Sequence, residues 1–314
     1  MPNMKLLVIG PAQSAQAQST EAQARQALQA EQVERYVSYT PRAGEGKVKA
    51  ALRILSEVEQ EEFDTVSAQD PFFIGMLAWY VARRHRARFN VQVHADLDGQ
   101  SFVRHILAHV VLRHADSVRV VSERIKGQVV RMGVVAPVMV LPLYVDISRF
   151  KAVERRPERM VLWVGRFEEE KDPLLALTIL KQVDAKLVML GKGSLEQTLK
   201  GRAAGMDVEF PGWQDPLPYL ARATAVLCTS PTESWGLSIV EALAAGVPVV
   251  SLDVGIAREA GAIVVPRHEL AGALRSALDA NVHGELKLTL LPEGEWVKRW
   301  KESLYGEVTF PRYG

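Results

Sequence analysis

The sequence predicts an α/β chain made of two Rossmann-like βαβ domains, each on a parallel sheet, and three observations carry that prediction. Strand-like and helix-like segments alternate from the first apolar run to the last, the pattern in which helices serve as crossovers between parallel strands. A length of 314 residues corresponds to about two domains, and 48% hydrophobic content is enough for two cores. Midway, LPLYVDISRFKAVERRPERM (141–160) is proline-containing, charged and poor in periodicity, so it reads as an interdomain linker.

In the first half, strands are expected near 5–9, 34–38, 65–68, 91–94, 117–121 and 137–141. The first ends at Gly10-Pro11, and AQSAQAQSTEAQARQALQAEQ (12–32) follows. That stretch has helix-forming composition with a weak apolar stripe, which leaves a surface helix and partial disorder both open. A helix over Phe72 to Ala87 leads into VQVHAD, and a helix over Ser101 to Arg113 leaves it. His94 falls at the carboxyl end of that strand. An imidazole there can donate a hydrogen bond near neutral pH, although a satisfied buried histidine is the commoner meaning. Asp96-Leu97-Asp98 could hold a metal bridging a diphosphate, or could simply be a turn at Asp98-Gly99 with Asp96 beside the site. His105 and His109 have no third ligand at suitable spacing and read as a basic helix face.

In the second half, strands are expected near 160–164, 186–190, 207–210, 225–228, 247–251 and 262–265. After the first of these, VLWVGRFEEEKDPLLAL (161–177) gives a Gly165-Arg166 turn, a polar loop to Lys171, and a helix with Asp172 as N-cap and Pro173 in its first turn. Arg166 and Lys171 place two cations at the carboxyl end of a parallel strand, the edge at which such sheets bind ligands, and a diphosphate suits them. A surface loop in which Glu168, Glu169 and Glu170 partly neutralise both cations is the alternative. LGKGS (190–194) lacks a third glycine at the fingerprint position, which is Glu196, so a tight strand-to-helix turn is expected rather than a dinucleotide site. TSPTESWGLSIVEALAAGVPVV (229–250) runs from a strand through turn chemistry to a helix opening at Gly236, with Leu237, Val240, Leu243 and Ala244 as its apolar face, and on into a strand. Gly236 and Leu237 present backbone N–H groups where an anion is stabilised. Glu233 lies just before that terminus and Glu241 about a turn and a half inside it, placed to accept hydrogen bonds from hydroxyls. The last helix, 293–305, sets Trp296 and Trp300 on one face.

The 229–250 segment resembles the Glu-x7-Glu module of family 4 retaining glycosyltransferases: Glu233, Trp235, Gly236, Leu237, Glu241, Ala242, Gly246, Pro248, Val249 and Val250 match it. Gly165-Arg166 with Lys171 is similar to the family's donor-diphosphate motif, and PLYVDISRF to its linker. The resemblance implies the GT-B fold, with two parallel sheets facing a central cleft. It implies an N-terminal acceptor domain (1–145), a nucleotide-sugar domain (146–292) and a terminal helix (293–314) packing back on the first. It implies hexosyl transfer from a UDP- or GDP-sugar to a glycan, lipid-linked or small-molecule acceptor, without metal or other cofactor. Glu241 would bind ribose, while Glu233 with the Gly236 and Leu237 amides would bind sugar and diphosphate. Arg166 and Lys171 would stabilise the leaving group, and His94 would assist on the sugar face. Gly10-Pro11 stands where many members carry a Gly-Gly loop, and Asp253-Val254-Gly255-Ile256 where a Gly pair is frequent. A GT-B sugar phosphorylase or epimerase is one alternative, and a non-catalytic nucleotide-sugar binder another.

The single cysteine, Cys228, excludes an internal disulfide and fits a cytoplasmic protein. No signal peptide is visible, and the longest apolar stretch, FFIGMLAWYV (72–81), is half of the roughly 20 residues a spanning helix needs. Charge is balanced overall, 38 basic against 37 acidic, but residues 83–131 carry 10 basic and 4 acidic side chains. Such a patch could meet the anionic inner face of a membrane or a lipid-diphosphate acceptor, or be a solvated face. It lacks the interleaved aromatic residues of a nucleic-acid surface.

Overall fold

The computed structural model describes residues 4–11, 20–42, 44–280 and 282–306. The chain divides into two compact units, 1–145 with 291–314, and 146–290. In the first unit β1 (Lys5–Ile9), β2 (Arg35–Tyr39), β3 (Thr65–Ala68), β4 (Arg88–Val93), β5 (Ser117–Val120) and β6 (Val138–Val140) form one sheet, ordered β2-β1-β3-β4-β5-β6 and parallel throughout. Helices α1 (Thr20–Ala30), α2 (Lys47–Val58), α3 (Phe73–His85), α4 (Phe102–Arg113) and α5 (Glu123–Arg131) alternate with the strands. The interior strands are buried on both faces, which is why they read as unbroken apolar runs. α3 and α4 approach closely at Gly75, where a Cβ would sit 2.7 Å from Val111 Cγ1.

The second unit repeats the plan. After the short α6 (Ser148–Lys151) come β7 (Met160–Val164), α7 (Pro173–Leu180), β8 (Lys186–Leu190), α8 (Glu196–Arg202), β9 (Val208–Gly212) and α9 (Leu217–Leu220). β10 (Ala225–Cys228), α10 (Leu237–Ala244), β11 (Val249–Ser251), α11 (Ala257–Ala260), β12 (Ile263–Val264) and α12 (Leu270–Ala280) complete it. Its parallel sheet is ordered β12-β11-β10-β7-β8-β9. Trp163, Phe167, Leu187, Met189 and Leu227 form its core with Leu177 and Leu180 of α7 and Leu274 of α12. The order reverses between β7 and β10, so the loops leaving these two strands lie side by side at the switch point, where open α/β sheets bind ligands.

The last described element is α13 (Glu293–Tyr305), part of the first unit. Trp296, Val297, Trp300 and Leu304 pack against Met4, Leu6, Val8 and Leu141. Trp296 Nε1 donates to Pro142 O at 2.8 Å.

Several boundaries differ from the sequence reading. β4 starts at Arg88, whose N–H is held by Asp64 O at 2.9 Å, and stops at Val93, so His94 lies just beyond the strand. β9 reaches Gly212 through Pro211, tolerated because it is an edge strand with a register shift opposite Val188 to Leu190. β11 starts at Val249, because Pro248 has no N–H to donate and only its carbonyl joins, accepting from Val226 N at 2.9 Å. In α10 Ile239, Val240, Ala242 and Leu243 are buried, whereas Leu237 and Ala244 are half-buried. Within the Gln/Ala/Ser-rich stretch, residues 20–30 are helical and 12–19 lie outside the described residues.

Candidate active site

The loop after β7 carries Arg166 and Lys171. It is wedged against the loop after β8: a Cβ at Gly191 would lie 1.8 Å from Gly165 O, and one at Gly193 would lie 2.5 Å from Phe167 O. Phe167 N donates to Lys192 O and Leu195 N to Phe167 O, both at 2.9 Å. The Gly-x-Gly of LGKGS therefore permits close approach of two backbones and forms the expected tight turn. Glu168 accepts from Ser194 N at 2.8 Å and Ser194 Oγ at 2.6 Å, and these bonds hold its carboxyl below the usual range.

The loop ends at Asp172, in the left-handed region at φ 44° and ψ 54°, a conformation that Asp tolerates better than most residues. Its carboxylate caps α7 through Leu175 N at 3.2 Å and pairs with Arg267 at 2.7 Å, while Pro173 opens the helix. Buried Thr229, the first residue beyond β10, ties this strained turn down. Thr229 Oγ1 accepts from Trp163 Nε1 at 2.9 Å, and its hydroxyl is shared between Lys171 O at 3.0 Å and Asp172 O at 2.9 Å.

Lys171 then reaches across to the neighbouring loop, where its Nζ donates to Glu233 Oε1 at 2.5 Å with both side chains largely buried. Arg166 pairs instead with Glu170, and its Nε is buried without a hydrogen-bond partner. The three glutamates do not act as one neutralising group: Glu168 holds a turn, Glu170 takes Arg166, and Lys171 is paired from outside the loop.

Gly236 caps α10 with φ 104°, in the left-handed region that glycine adopts without strain. The helix ladder begins with Ile239 N and Val240 N donating to Gly236 O, at 3.1 and 3.3 Å, so the amides before them stand at an open helix N-terminus. Glu233 and the Lys171 ammonium sit ahead of this terminus, and Glu241 is half-buried one turn inside it. Gly255, at φ 52°, closes the back of the loop: its Cβ would lie 2.3 Å from Trp235 O, which accepts from Ile256 N at 2.9 Å. Burial pushes the Cys228 thiol up.

In the first unit His94 is half-buried beyond β4, with Nε2 3.4 Å from Gln92 Oε1. Burial first, then Arg119 and Arg25, push its pKa down to about 3. The ring is therefore neutral at physiological pH, a fixed one-proton donor rather than a group that titrates near neutrality. Asp96 and Asp98 are turned to arginines. Asp96 is buried, accepts from Gln128 Nε2 and Asp98 N at 3.0 Å, and faces Arg124 at 3.6 Å; Asp98 pairs with Arg131 at 2.9 Å. Both carboxylates brace the turn and have cationic partners.

Two groups were not evident from sequence. Thr229 gives no periodic signal, because its partners lie about 60 positions away. Arg119, 1% exposed, is a buried cation bonded to Leu141 O, Gln92 Oε1 and Pro142 O, each at 2.9 Å, with its guanidinium 5.4 Å from the Trp296 ring. Its one visible signal is a lone arginine inside an apolar strand, SVRVV.

Two family models match, "Glycosyltransferase Family 4" over residues 7–149 and "Glycosyl transferases group 1" over 158–280. The chain belongs to glycosyltransferase family 4. Among curated relatives of this family 4 chain, the alpha-monoglucosyldiacylglycerol synthase of Streptococcus pneumoniae is 25% identical over 74% of this chain and 63% of its own length. The glycogen synthase of Mycobacterium tuberculosis is 30% identical over 56% of this chain and 48% of its own. The chain thus spans about half to two thirds of these relatives. Among solved structures, sucrose-phosphate synthase from Thermosynechococcus elongatus superposes with a TM-score of 0.73 at 16% identity, covering 96% of this chain and 95% of that one. Anabaena HepE in complex with UDP and glucose gives 0.70 at 15% identity, covering 96% of each. These likenesses establish the GT-B fold.

Proposed function

We propose that this protein is a retaining glycosyltransferase that moves a hexose from a nucleotide sugar to an acceptor hydroxyl without a metal ion. The observation that carries the reading is the Lys171–Glu233 pair in front of the open N-terminus of α10, at the switch point of the second sheet. A cation, a hydroxyl-accepting carboxylate and free amides converge there, which are the groups a sugar diphosphate needs.

In this reading the diphosphate lies against the amides at Gly236 and Leu237, with Lys171 and Arg166 offsetting the charge that grows as the glycosidic bond breaks. Arg166 reaches it by leaving Glu170, and Glu233 exchanges Lys171 for hydroxyls of the sugar. Glu241 accepts from the ribose. The bond from the anomeric carbon to the diphosphate oxygen breaks, the acceptor oxygen bonds on the same face, and the acceptor proton passes to the leaving phosphate. His94 of the first unit is neutral and adds no charge of its own. The donor is a UDP- or GDP-sugar, the acceptor a glycan, lipid-linked or small molecule, and the setting the cytoplasm.

Incubation with UDP-, GDP- and ADP-sugars, followed by assay of released nucleoside diphosphate, tests the reading. Release without added phosphate supports transfer; release of sugar 1-phosphate that requires inorganic phosphate points to a phosphorylase, and binding without turnover to a sensor.

A further inference from the structure

β4 is an interior strand in which every residue after Arg88 is buried. Asn90 and Gln92 alternate along it with Phe89, Val91 and Val93, so two buried amides share one face and must find partners within the protein. They are satisfied by a chain of hydrogen bonds whose direction is fixed at both ends. At one end Asn90 Nδ2 lies 2.9 Å from Ser303 O, a main-chain carbonyl of α13 that can only accept. The other atom of this amide is therefore the oxygen, and it accepts from Ser67 Oγ at 2.8 Å. With its proton committed to Asn90, the Ser67 hydroxyl accepts from Gln92 Nε2 at 3.0 Å. At the other end Arg119 Nη1 stands 2.9 Å from Gln92 Oε1, and a guanidinium has donors alone. Both ends require the same orientation of the Gln92 amide, nitrogen toward Ser67 and oxygen toward Arg119.

That orientation reaches His94. Its Nε2 lies 3.4 Å from the same Gln92 Oε1, an atom that cannot donate, so the proton of this contact belongs to the imidazole. The ring, held neutral by burial and by the charges of Arg119 and Arg25, has one proton to place. With that proton on Nε2, Nδ1 keeps its lone pair. Among the described residues, the one hydrogen bond of the half-buried His94 ring is the one through Nε2.

We propose that Gln92 is a positioning residue: pinned between Ser67 and Arg119, it holds His94 as the Nε2–H tautomer and leaves Nδ1 as a hydrogen-bond acceptor for a substrate hydroxyl. The donor role that the sequence suggested for His94 is thus taken up inside the protein, by Gln92. A hydroxyl can donate to a bare ring nitrogen, whereas an ionised diphosphate oxygen only accepts and is disfavoured there. That the hydroxyl belongs to a sugar rests on the transfer reading above; the tautomer stands without it.

Long-range proton–nitrogen NMR correlation on histidine-labelled protein near neutral pH reads the tautomer, with His94 assigned by the signal missing from His94→Gln. The wild-type chain is expected to show this ring protonated on Nε2 alone. Gln92→Leu removes the acceptor and is expected to give the averaged nitrogens of two exchanging tautomers, while Gln92→Glu, which keeps an oxygen opposite Arg119, retains the proton on Nε2. In nucleoside diphosphate release, Gln92→Leu is expected to lower kcat/KM about tenfold, roughly the contribution of one hydrogen bond. A wild-type ring protonated on Nδ1 overturns the proposal, as does a Gln92→Leu spectrum identical to wild type. A shifted tautomer at unchanged kcat/KM overturns the hydroxyl assignment. The wild-type spectrum needs no substitution, so it decides the tautomer even where Gln92→Leu fails to fold. A chain with the Nε2–H ring but no turnover of any nucleotide sugar contradicts the transfer reading alone, and turnover with Nδ1 protonated contradicts the tautomer alone.

Discussion

Lys171 is held at both ends, its ammonium by Glu233 and its carbonyl by Thr229, so its charge is positioned before any donor arrives. Lys171→Ala and Arg166→Ala are each expected to lower turnover about tenfold or more with the melting temperature unchanged, since a charge-assisted contact contributes roughly 1.5–3 kcal/mol. Rates within about twofold of wild type for both would remove the diphosphate assignment. The two carboxylates separate by calorimetry: Glu241→Ala is expected to weaken nucleoside diphosphate and nucleotide sugar alike, and Glu233→Ala to spare the nucleoside diphosphate while slowing transfer. Thr229→Val keeps the shape but leaves Trp163 Nε1 without its acceptor and the Asp172 turn without its tie. It should raise the donor KM and lower kcat, with Thr229→Ser restoring both; a silent Thr229→Val would show that the loop needs no tie. For His94 the folded pKa, about 3, lies below the ordinary histidine value of 6.5. Its contribution to stability is therefore complete above about pH 6.5 and declines as pH falls from there toward 3. Acid unfolding of His94→Gln should be less steep over that window, and neither kcat nor kcat/KM should show a His94 limb between about pH 6 and 8.

At the scale of elements, the sequence located all twelve strands among the described residues, most of them apolar runs bounded by glycine, proline or charge, with β2 and β9 the more polar, less buried exceptions. It located Asp172 and Pro173 at the start of α7 because capping is local chemistry. It misplaced the start of β4, whose first residue is held by Asp64 well back along the chain, and that of β11, shortened by the adjacent Pro248, which has no N–H to donate. The site was legible in the same measure. Lys171 and Glu233 were readable as residue types at strand ends, but their pairing depends on β7 lying beside β10, which no local spacing encodes. Glycines that allow backbones to touch give the sharpest test of packing. Gly191→Ala should destabilise the second unit, since the added methyl meets the Gly165 carbonyl rather than a movable side chain. An unchanged melting temperature would contradict the packing of these two loops. In α13, Trp296→Ala should cost about 3–5 kcal/mol in urea unfolding, and Trp300→Phe much less, because the buried Trp300 Nε1 has no acceptor to lose.

At the scale of the molecule, two parallel sheets with one connectivity principle carry different chemistry at their carboxyl edges. The second sheet presents Arg166, Lys171 and a helix N-terminus, groups suited to a diphosphate. The first presents neutral His94 just beyond β4. In the proposed mechanism protein cations, not a metal ion, stabilise the departing nucleoside diphosphate. The most direct test is release of nucleoside diphosphate from the preferred nucleotide sugar in excess EDTA, by the wild-type chain and by Lys171→Ala. Undiminished release by wild type with a loss of about tenfold or more in the variant is the predicted result. Complete loss on chelation, restored by manganese, would contradict it and move the chemistry to Asp96 and Asp98.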